Sequence, residues 1–255
     1  MNNLFIYDGV EYSREKIEQR NQKVLELYRN NLDYRISESL KFVKGGKILD
    51  VGCNDGAISR ILGERGHKVV GIDILQTMID IAKEFNEIDN VQFEQRNFLK
   101  EPFPDESFDC IIFLETIEHV LEPSLFLKEF HRILRNNGKL IISTPNATSL
   151  KNMIYALSYR KKSKQKELTK SILFEEKSTG TQLEHVSNWD FPTLVRLLDR
   201  TDFDVVDQKF ITAGPITIPI FGKKIKIIKG DSKILNKFET LKTTQILECQ
   251  KRTIN

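Results

Sequence analysis

The sequence has few of the features that stabilise secreted proteins or anchor proteins in membranes. Its 255 residues include only three cysteines, Cys53, Cys110 and Cys249, without metal-binding or redox spacing. We therefore expect reduced, packed thiols in an intracellular protein. No apolar run approaches the roughly 20 residues that span a bilayer, and residues 1–8 lack the basic and apolar regions of a secretory leader. These absences predict a cytoplasmic protein without a transmembrane segment.

Two nucleotide-binding motifs are also missing from the stretch that organises the chain, Lys47–Gly56. It has neither the G-x-G-x-x-G spacing that holds a pyrophosphate nor the Lys-Ser/Thr pair of a P-loop. It has instead a short apolar strand, a turn with Gly52 and Gly56, and the start of a helix, which together present backbone amides to a ligand. Asp50 and Asp55 would repel a pyrophosphate and suit a ligand with an ammonium or sulfonium group. The alternative is an ordinary strand-to-helix turn.

A second strand decides between these interpretations. Lys68–Asp73 ends in a carboxylate roughly 20 positions further on, where a ribose hydroxyl pair would bind. The two segments resemble motifs I and II of the class I S-adenosylmethionine-dependent methyltransferases. Later segments resemble the following motifs of this superfamily in order, namely Val91–Phe98, Ser107–Glu115 and Arg135–Ser143. The resemblance covers about residues 41–210, most of the chain.

The resemblance implies S-adenosylmethionine as the cofactor and identifies residues that would bind it. Gly52 would lie against the methionine part, and Asp73 would accept hydrogen bonds from both ribose hydroxyls. Asn97, where the family often has Asp, would contact the adenine. The full set of implied cofactor residues is Asp50, Gly52, Cys53, Asn54, Gly56, Asp73, Ile74, Asn97, Phe98 and Phe113. A solvated strand-end carboxylate is the alternative for Asp73. NAD-dependent oxidoreduction is disfavoured by the missing third glycine and the acidic turn.

The segment after the fourth strand, Leu114–Val120, is rich in groups that could carry chemistry. If it forms a helical turn, Glu115, Glu118 and His119 face the same way and are the predicted catalytic residues. With His185 they would form a site for Mg²⁺ or another divalent metal ion. The pattern resembles the ubiquinone-pathway O-methyltransferases and the small-RNA 2′-O-methyltransferases, in which a metal would activate the acceptor hydroxyl. The alternative is a metal-free site with His119 as general base, because imidazole titrates near neutral pH.

Strand and helix patterns alternate along the chain from Gly45, which predicts an α/β fold. We expect a Rossmann-like sheet of seven mostly parallel strands, with helices on both faces and the last strand antiparallel. The predicted strands are 47–51, 68–72, 91–95, 108–114, 139–143, 203–211 and 243–251, and the predicted helices are 56–65, 75–86, 123–135 and 190–199. Residues 11–43 have apolar positions at helical spacing. We therefore assign residues 1–44 to an N-terminal helical cap or brace, and residues 45–255 to the methyltransferase domain.

Two insertions hold the positive charge of the chain, whose formal net charge is +3. Residues 145–187 are expected to form a lid at the cleft mouth, and 151–170 hold seven basic side chains and one acidic. Residues 212–242 are expected to contain a small hairpin that closes the site or touches a lipid-like substrate. Of these, 222–242 hold seven basic side chains and two acidic. This charge favours an acidic acceptor, and a solvated surface is the alternative.

From these features we expect an S-adenosylmethionine-dependent methyltransferase that O-methylates a small-molecule, glycan or lipid-linked acceptor carrying negative charge. One alternative is an RNA 2′-O-methyltransferase. A nucleic-acid partner is disfavoured because the basic segments contain few aromatic residues for base stacking, namely Tyr155, Tyr159 and Phe238. Another alternative is a non-catalytic S-adenosylmethionine-binding module that regulates a partner. Such a module would need the glycine turn but not His119.

Overall fold

The computed structural model describes the backbone and side chains of residues 35–150, 152–153, 185–211 and 241–253, and of single positions between 15 and 26. It describes the backbone alone at residues 4–7, 10–13, 34, 216–220 and 223–228. The β-strands, in chain order, are β1 Leu4–Tyr7, β2 Val10–Ser13, β3 Lys47–Val51, β4 Lys68–Asp73, β5 Val91–Gln95, β6 Phe108–Leu114, β7 Leu134–Pro145, β8 Phe203–Ile211, β9 Ile216–Ile220, β10 Lys223–Ile228 and β11 Thr244–Lys251. The α-helices are α1 Tyr34–Ser39, α2 Ala57–Glu64, α3 Gln76–Glu84, α4 Pro123–Ile133 and α5 Phe191–Asp199, and a 3₁₀ turn spans Ile117–His119.

A seven-stranded sheet in the order β5-β4-β3-β6-β7-β11-β8 is the centre of the fold. Neighbouring strands from β5 to β7 are parallel, whereas β11 runs antiparallel to both β7 and β8. This confirms the predicted Rossmann-like sheet with an antiparallel last strand. The strand order reverses its direction between β3 and β6. Because ligands of such sheets bind beyond the carboxyl ends of the strands at the reversal, a site is expected where β3, β4 and β6 end.

Helices cover both faces of the sheet because successive residues of a strand point to opposite sides. In β3, Ile48 packs in one hydrophobic cluster and Leu49 in the other, and both side chains are fully buried. The helix α2 adds Ile61 to the first cluster, whereas α4 adds Leu127 and Phe130 to the second. The strands are therefore held between two apolar layers, which fixes the positions of their carboxyl ends.

Most element boundaries agree with the sequence prediction. The predicted bounds 47–51, 91–95, 108–114 and 203–211 are those of β3, β5, β6 and β8. Only β7 is much longer than expected. It starts at Leu134, which pairs with Phe108 before a register shift. At the start of α5 the Asp190 carboxylate accepts a hydrogen bond of 2.8 Å from the Thr193 N–H, which confirms the predicted N-cap.

The N-terminal helix prediction is wrong at its start. Residues 11–13 belong to β2, which pairs antiparallel with β1. Val10–Ser13 alternates apolar and polar residues, and the Asp8-Gly9 sequence that precedes it is typical of hairpin turns. These strand signals outweigh the helical spacing of so short a segment. The backbone is helical at the described positions from 15 to 26 and in α1, and the remaining positions of 14–33 lie outside the described residues.

The two insertions are described only at their edges and in one hairpin. Positions 154–184 of the predicted lid lie outside the described residues. In the second insertion, β9 and β10 pair antiparallel, which confirms the expected hairpin. Within the ranges that the structure describes, no helix combines the length and the apolar character needed to cross a bilayer.

Candidate active site

The turn between β3 and α2 has a left-handed backbone. The φ angle is +77° at Gly52, +51° at Asn54 and +76° at Gly56. A Cβ atom at Gly52 would lie 2.8 Å from Cγ2 and Oγ1 of Thr116, and one at Gly56 would lie 2.5 Å from the Phe93 ring. Both positions therefore favour glycine for its conformation and for its lack of a side chain.

The backbone N–H groups of this turn bond within the protein. Gly52 and Cys53 donate to the Ile72 carbonyl oxygen at 2.9 and 3.0 Å. Asn54 donates to Asp73 Oδ2 at 3.0 Å. The sequence predicted that the turn presents backbone amides to a ligand, whereas these three amides bond within the protein. The strand β4 lies beside β3, so the Ile72 carbonyl oxygen and the Asp73 carboxylate of β4 accept these three N–H groups. The turn therefore offers a ligand a close approach rather than these N–H donors.

Asp73 is the last residue of β4 and fixes the chain on both sides of the strand end. Its Oδ1 atom accepts a hydrogen bond of 3.0 Å from the Leu75 N–H, while Oδ2 accepts the Asn54 N–H. Partial burial raises the pKa of this carboxyl above its ordinary value, although the backbone donors act in the opposite direction. Each oxygen has a second lone pair, so the carboxylate can still accept from ligand hydroxyls.

Asp50 lies buried beneath the turn. The Ser59 hydroxyl donates a hydrogen bond of 2.6 Å to its Oδ2 atom. Burial, followed by the charges of Asp73 and Asp55, raises the pKa of Asp50 to about 7. Burial also raises the pKa of the neighbouring Cys53 thiol well above its usual range. Cys53 is therefore a packed thiol and not a nucleophile at neutral pH, in agreement with the sequence interpretation.

A cavity of about 240 Å³ opens over the turn at the carboxyl ends of β3 and β6. Its floor includes Asp50, Gly52 and Asn54, and Glu115 lies at its side. The other wall comes from α1, whose Arg35 and Ser39 also line it. The helix α1 therefore borders the cavity over the turn, and whether the N-terminal segment acts as a cap or as a brace stays a prediction. The full lining is Arg35, Ile36, Ser39, Asp50, Gly52, Cys53, Asn54, Asp55, Ala57, Ile58, Leu114, Glu115, Thr116 and Ser143.

Glu115 turns away from the other two predicted catalytic residues. Its φ angle is +50°, so the backbone leaves β6 in a left-handed conformation and no α-helical turn follows. Its carboxylate contacts Arg35 Nη1 at 3.1 Å and accepts a hydrogen bond of 2.8 Å from the Ser143 hydroxyl. The expectation that Glu115, Glu118 and His119 face the same way is therefore wrong. The left-handed residue rotates the first side chain towards the cavity.

Glu118 is a buried carboxyl in the 3₁₀ turn. The Thr144 hydroxyl donates to its Oε2 atom at 2.9 Å. Burial, followed by the charge of Glu115, raises the pKa of Glu118 to about 8. Its backbone carbonyl oxygen accepts hydrogen bonds of 2.8 and 3.2 Å from the N–H groups of Val186 and Ser187. This residue therefore anchors the chain where it returns from the predicted lid.

That anchor brings His185 to the site, as the sequence interpretation expected. Its Nε2 atom lies 3.9 Å from Glu118 Oε1, and its ring meets the His119 ring edge-on with centroids 4.7 Å apart. Donor atoms of Glu118, His119 and His185 all lie within 4.8 Å of one another. Burial, followed by the charge of His119, lowers the pKa of His185 to about 4. The three residues are called the histidine cluster below.

Comparison with known proteins identifies the family. A family model described as a methyltransferase domain matches residues 11–208. The chain belongs to the class I S-adenosylmethionine-dependent methyltransferase superfamily. The match covers the glycine turn, Asp73 and the histidine cluster, so both parts of the site lie within the methyltransferase domain.

Two relatives of this methyltransferase are named ubiquinone biosynthesis O-methyltransferases. The protein from Pelagibacter ubique is 34% identical over 126 residues, which are 49% of this chain and 52% of that protein. The protein from Bartonella quintana is 35% identical over 104 residues, which are 40% of this chain and 42% of that protein. The alignments therefore span about half the length of these relatives.

Solved structures share the fold at low identity. A methyltransferase from Mesorhizobium loti superposes with a TM-score of 0.58 and 16% identity, over 85% of this chain and 95% of its own. A [4+2]-cyclase, SpnF, superposes with a TM-score of 0.57 and 15% identity, over 88% of this chain and 82% of its own. Because one fold hosts both activities, the reaction must be argued from the site.

The remaining predicted cofactor residues of this methyltransferase lie in two environments. Phe98 and Phe113 are buried in the hydrophobic core, where both rings pack against Phe130 with centroids 5.0 and 5.1 Å away. Ile74 is exposed just after β4, and its carbonyl oxygen accepts a hydrogen bond from the Gln95 side chain. Beyond the end of β5, the Asn97 carbonyl oxygen accepts two backbone N–H groups. Their contacts with the cofactor stay predictions.

Two cavity residues were missed by the sequence reasoning. Arg35 is the only cationic side chain that lines the cavity within the described part of the chain. Ser39, one helical turn later, is 1% exposed, and its hydroxyl has no hydrogen-bond partner in the described residues. An arginine and a serine four residues apart on a helix were the available signal. This spacing indicates a binding site only in combination with the position of α1 beside the turn.

Proposed function

We propose that this protein is an S-adenosylmethionine-dependent O-methyltransferase whose acceptor hydroxyl binds at the histidine cluster. The observation that carries the proposal is the position of this cluster, whose Glu118 and His119 lie just beyond the end of β6 and closely follow the cavity-lining residues Glu115 and Thr116 in the chain. An oxygen acceptor needs a group that takes up its proton, and histidine does so near neutral pH. A module that only bound the cofactor would need no such group.

The residues around the cavity fit the cofactor by their chemistry. Asp73, which accepts the N–H of the lining residue Asn54, offers an acceptor for the ribose hydroxyls. The acidic lining residues Asp50 and Asp55 suit the cationic ammonium and sulfonium groups. Arg35 and the unpartnered Ser39 hydroxyl offer donors for the methionine carboxylate. The two cationic groups and the one anionic group of the methionine part therefore meet opposite charges or hydrogen-bond donors on the protein.

S-adenosylmethionine supplies the methyl group: the acceptor oxygen bonds to the methyl carbon as the sulfur–carbon bond breaks, and S-adenosylhomocysteine leaves. The chain holds both reactants in line and keeps water away from them. His119 is exposed, whereas Glu118 is buried, so His119 is the member of the cluster that an acceptor can reach. We assign to His119 the uptake of the hydroxyl proton.

The histidine cluster also fits a divalent metal ion. Two imidazoles and one carboxylate form a donor set typical of Zn²⁺, Mn²⁺ or Fe²⁺, whereas Mg²⁺ prefers oxygen ligands. His185 is neutral at neutral pH because its pKa is lowered to about 4, as a metal ligand must be. A bound ion would lower the pKa of the acceptor hydroxyl. Glu115 would add a fourth ligand only after leaving Arg35.

Exposed apolar side chains beside the cluster favour an acceptor with an apolar part. Leu121 follows His119 by two residues and is 84% exposed, and Val186 follows His185 directly and is 54% exposed. The names of the relatives, which refer to ubiquinone biosynthesis, agree with such an acceptor. The negative charge proposed for the acceptor rests on the lysine-rich segments, most of which lie outside the described residues.

The experiment that tests this function uses methyl-tritiated S-adenosylmethionine, the purified protein and a cell extract divided into lipid, glycan, nucleic-acid, protein and small-molecule fractions. Each fraction is incubated with Mn²⁺, with Mg²⁺ and with a chelator. We expect label in the lipid or small-molecule fraction, lost in His119→Ala and kept in His67→Ala. His67 is a suitable control because it directly precedes β4, at the amino-terminal end of the parallel strands, whereas the cluster lies at their carboxyl-terminal end. Label in nucleic acid would favour the RNA methyltransferase, and cofactor binding without any label would favour the regulatory module.

A further inference from the structure

The ion pair between Arg35 and Glu115 crosses the cofactor cavity. Arg35 belongs to α1 and Glu115 follows β6, and the two side chains meet at 3.1 Å while both line the cavity. They are 39% and 24% exposed, so the pair is accessible to a ligand and only partly shielded from water. A cofactor that enters this cavity must therefore meet this ion pair.

Arg35 and Ser39 are two hydrogen-bond donors among the residues that line this cavity. Arg35 and Ser39 are four residues apart on α1, which places both on one face of the helix. The Ser39 hydroxyl is buried and lacks a partner among the described residues, so it is an unused donor in the cavity lining. Of these two donors, Glu115 contacts only Arg35.

Glu115 has a second partner that can hold it when Arg35 is taken. The Ser143 hydroxyl donates to its Oε1 atom at 2.8 Å, and the Ser143 carbonyl oxygen accepts the Glu115 N–H at 2.8 Å. The left-handed φ of +50° at Glu115 is a conformation that non-glycine residues seldom adopt. Such strain persists where the surroundings hold it, and Ser143 supplies that hold.

We infer that Glu115 and the methionine carboxylate of the cofactor compete for Arg35, so that cofactor binding leaves the Glu115 carboxylate bonded to Ser143 alone. This inference rests on the proposed function, because it requires that the cofactor binds in this cavity. Arg35 and Glu115 are thus positioning residues for the carboxylate of the cofactor.

The test compares two ligands that differ in the group under discussion. S-adenosylhomocysteine carries the amino-acid carboxylate, whereas 5′-methylthioadenosine has the same nucleoside without it. Dissociation constants are measured by titration calorimetry for the wild type, Glu115→Gln, Arg35→Ala and the double variant. Glu87→Gln is the control for the loss of one negative charge, since Glu87 is exposed and away from the cavity lining.

We expect Glu115→Gln to bind S-adenosylhomocysteine about twofold to fivefold more tightly, which is the range for a partly exposed ion pair. Arg35→Ala should bind it about tenfold to a hundredfold more weakly. Neither change should alter the affinity for 5′-methylthioadenosine, and the gain from Glu115→Gln should vanish in the Arg35→Ala background.

Weaker binding of S-adenosylhomocysteine by Glu115→Gln would overturn the inference, because it would make Glu115 a direct support of the cofactor. Equal changes for both ligands would overturn it as well. A wild-type protein that bound neither ligand would overturn the proposed function and this inference with it. A wild type that bound both, without any dependence on Glu115, would overturn the inference alone.

Discussion

Asp73 Oδ2 accepts a hydrogen bond of 3.0 Å from the backbone N–H of Asn54, which joins the end of β4 to the glycine turn after β3. The two motifs that are predicted to bind the cofactor are therefore one structural unit. A change in the carboxylate must alter both the ligand contact and the conformation of the turn.

Asp73→Asn should weaken both cofactor binding and folding. Each carboxylate oxygen accepts a backbone N–H, and an amide would place its NH₂ group against one of these donors. We expect S-adenosylhomocysteine to bind about tenfold to a hundredfold more weakly, and the melting temperature to fall. Calorimetry and thermal unfolding measure the two effects. Asp80→Asn is the control, because Asp80 is exposed on α3; a similar loss there would contradict a specific role of Asp73.

Gly52→Ala should destabilise the protein by about 2–3 kcal/mol, since a left-handed alanine is strained and its Cβ would displace Thr116. Gly66→Ala separates the two causes. Gly66 has a φ of +87°, but a Cβ atom added there would have no neighbouring atom within 4 Å. It should therefore cost only about 1 kcal/mol and leave S-adenosylhomocysteine affinity unchanged. Urea unfolding of both variants measures these costs, and equal values would show that the Thr116 contact is unimportant.

Stability without ligand should fall as the pH rises from about 4 to about 7. The Asp50 pKa of about 7 exceeds its ordinary value of 3.8, so the folded state binds the proton more tightly than the unfolded state. This contribution is complete below pH 4 and is lost as the pH passes through 7, with a size on the order of 4 kcal/mol. Asp50→Asn should reduce, without abolishing, the slope of the free energy of unfolding over this range, because the raised pKa values of Glu118 and Asp73 act in the same direction. An unchanged slope in the variant would assign the effect to other groups.

Binding of Mn²⁺ should strengthen as the pH rises towards 8. Glu118 must release its proton to ligate a metal, and its pKa is about 8, so affinity should rise up to tenfold per pH unit below that value. Over this range His185 adds no slope, because its pKa is about 4. Electron paramagnetic resonance of free Mn²⁺ measures the binding. His185→Ala should abolish it and His131→Ala, on α4, should not; binding that did not depend on pH would contradict Glu118 as a ligand.

Local sequence patterns predict the sheet well because they report directly on burial. β5, Val91–Gln95, and β6, Phe108–Leu114, have the predicted bounds, since β5 alternates buried apolar and more exposed polar residues at its start and β6 is a mostly apolar, mostly buried run. The pattern at Val10–Ser13 was too short to distinguish a strand from the start of a helix. Its strand identity depends on pairing with β1, which spacing alone does not reveal.

The proximity of His185 to Glu118 and His119 was predictable from the sequence, whereas the conformation of Glu115 and the contribution of α1 to the cavity were not. His185 meets Glu118 as expected, because the chain returns to the end of β6. The left-handed Glu115 was unpredicted, since its conformation depends on bonds to Ser143 on the neighbouring strand. Arg35 was also missed, because 80 positions separate it from its partner in sequence. Distant contacts of this kind require the tertiary structure.

Backbone hydrogen bonds at the two ends of the predicted lid have a consequence for how its sequence can vary. The Ala147 N–H donates to the Trp189 carbonyl oxygen at 3.0 Å, and Val186 and Ser187 bond to the Glu118 carbonyl oxygen. The two ends of the predicted lid are therefore held by hydrogen bonds that do not involve the residues between them. We therefore expect the length of the segment between Ala147 and Trp189 to vary among relatives without loss of the contacts at its two ends.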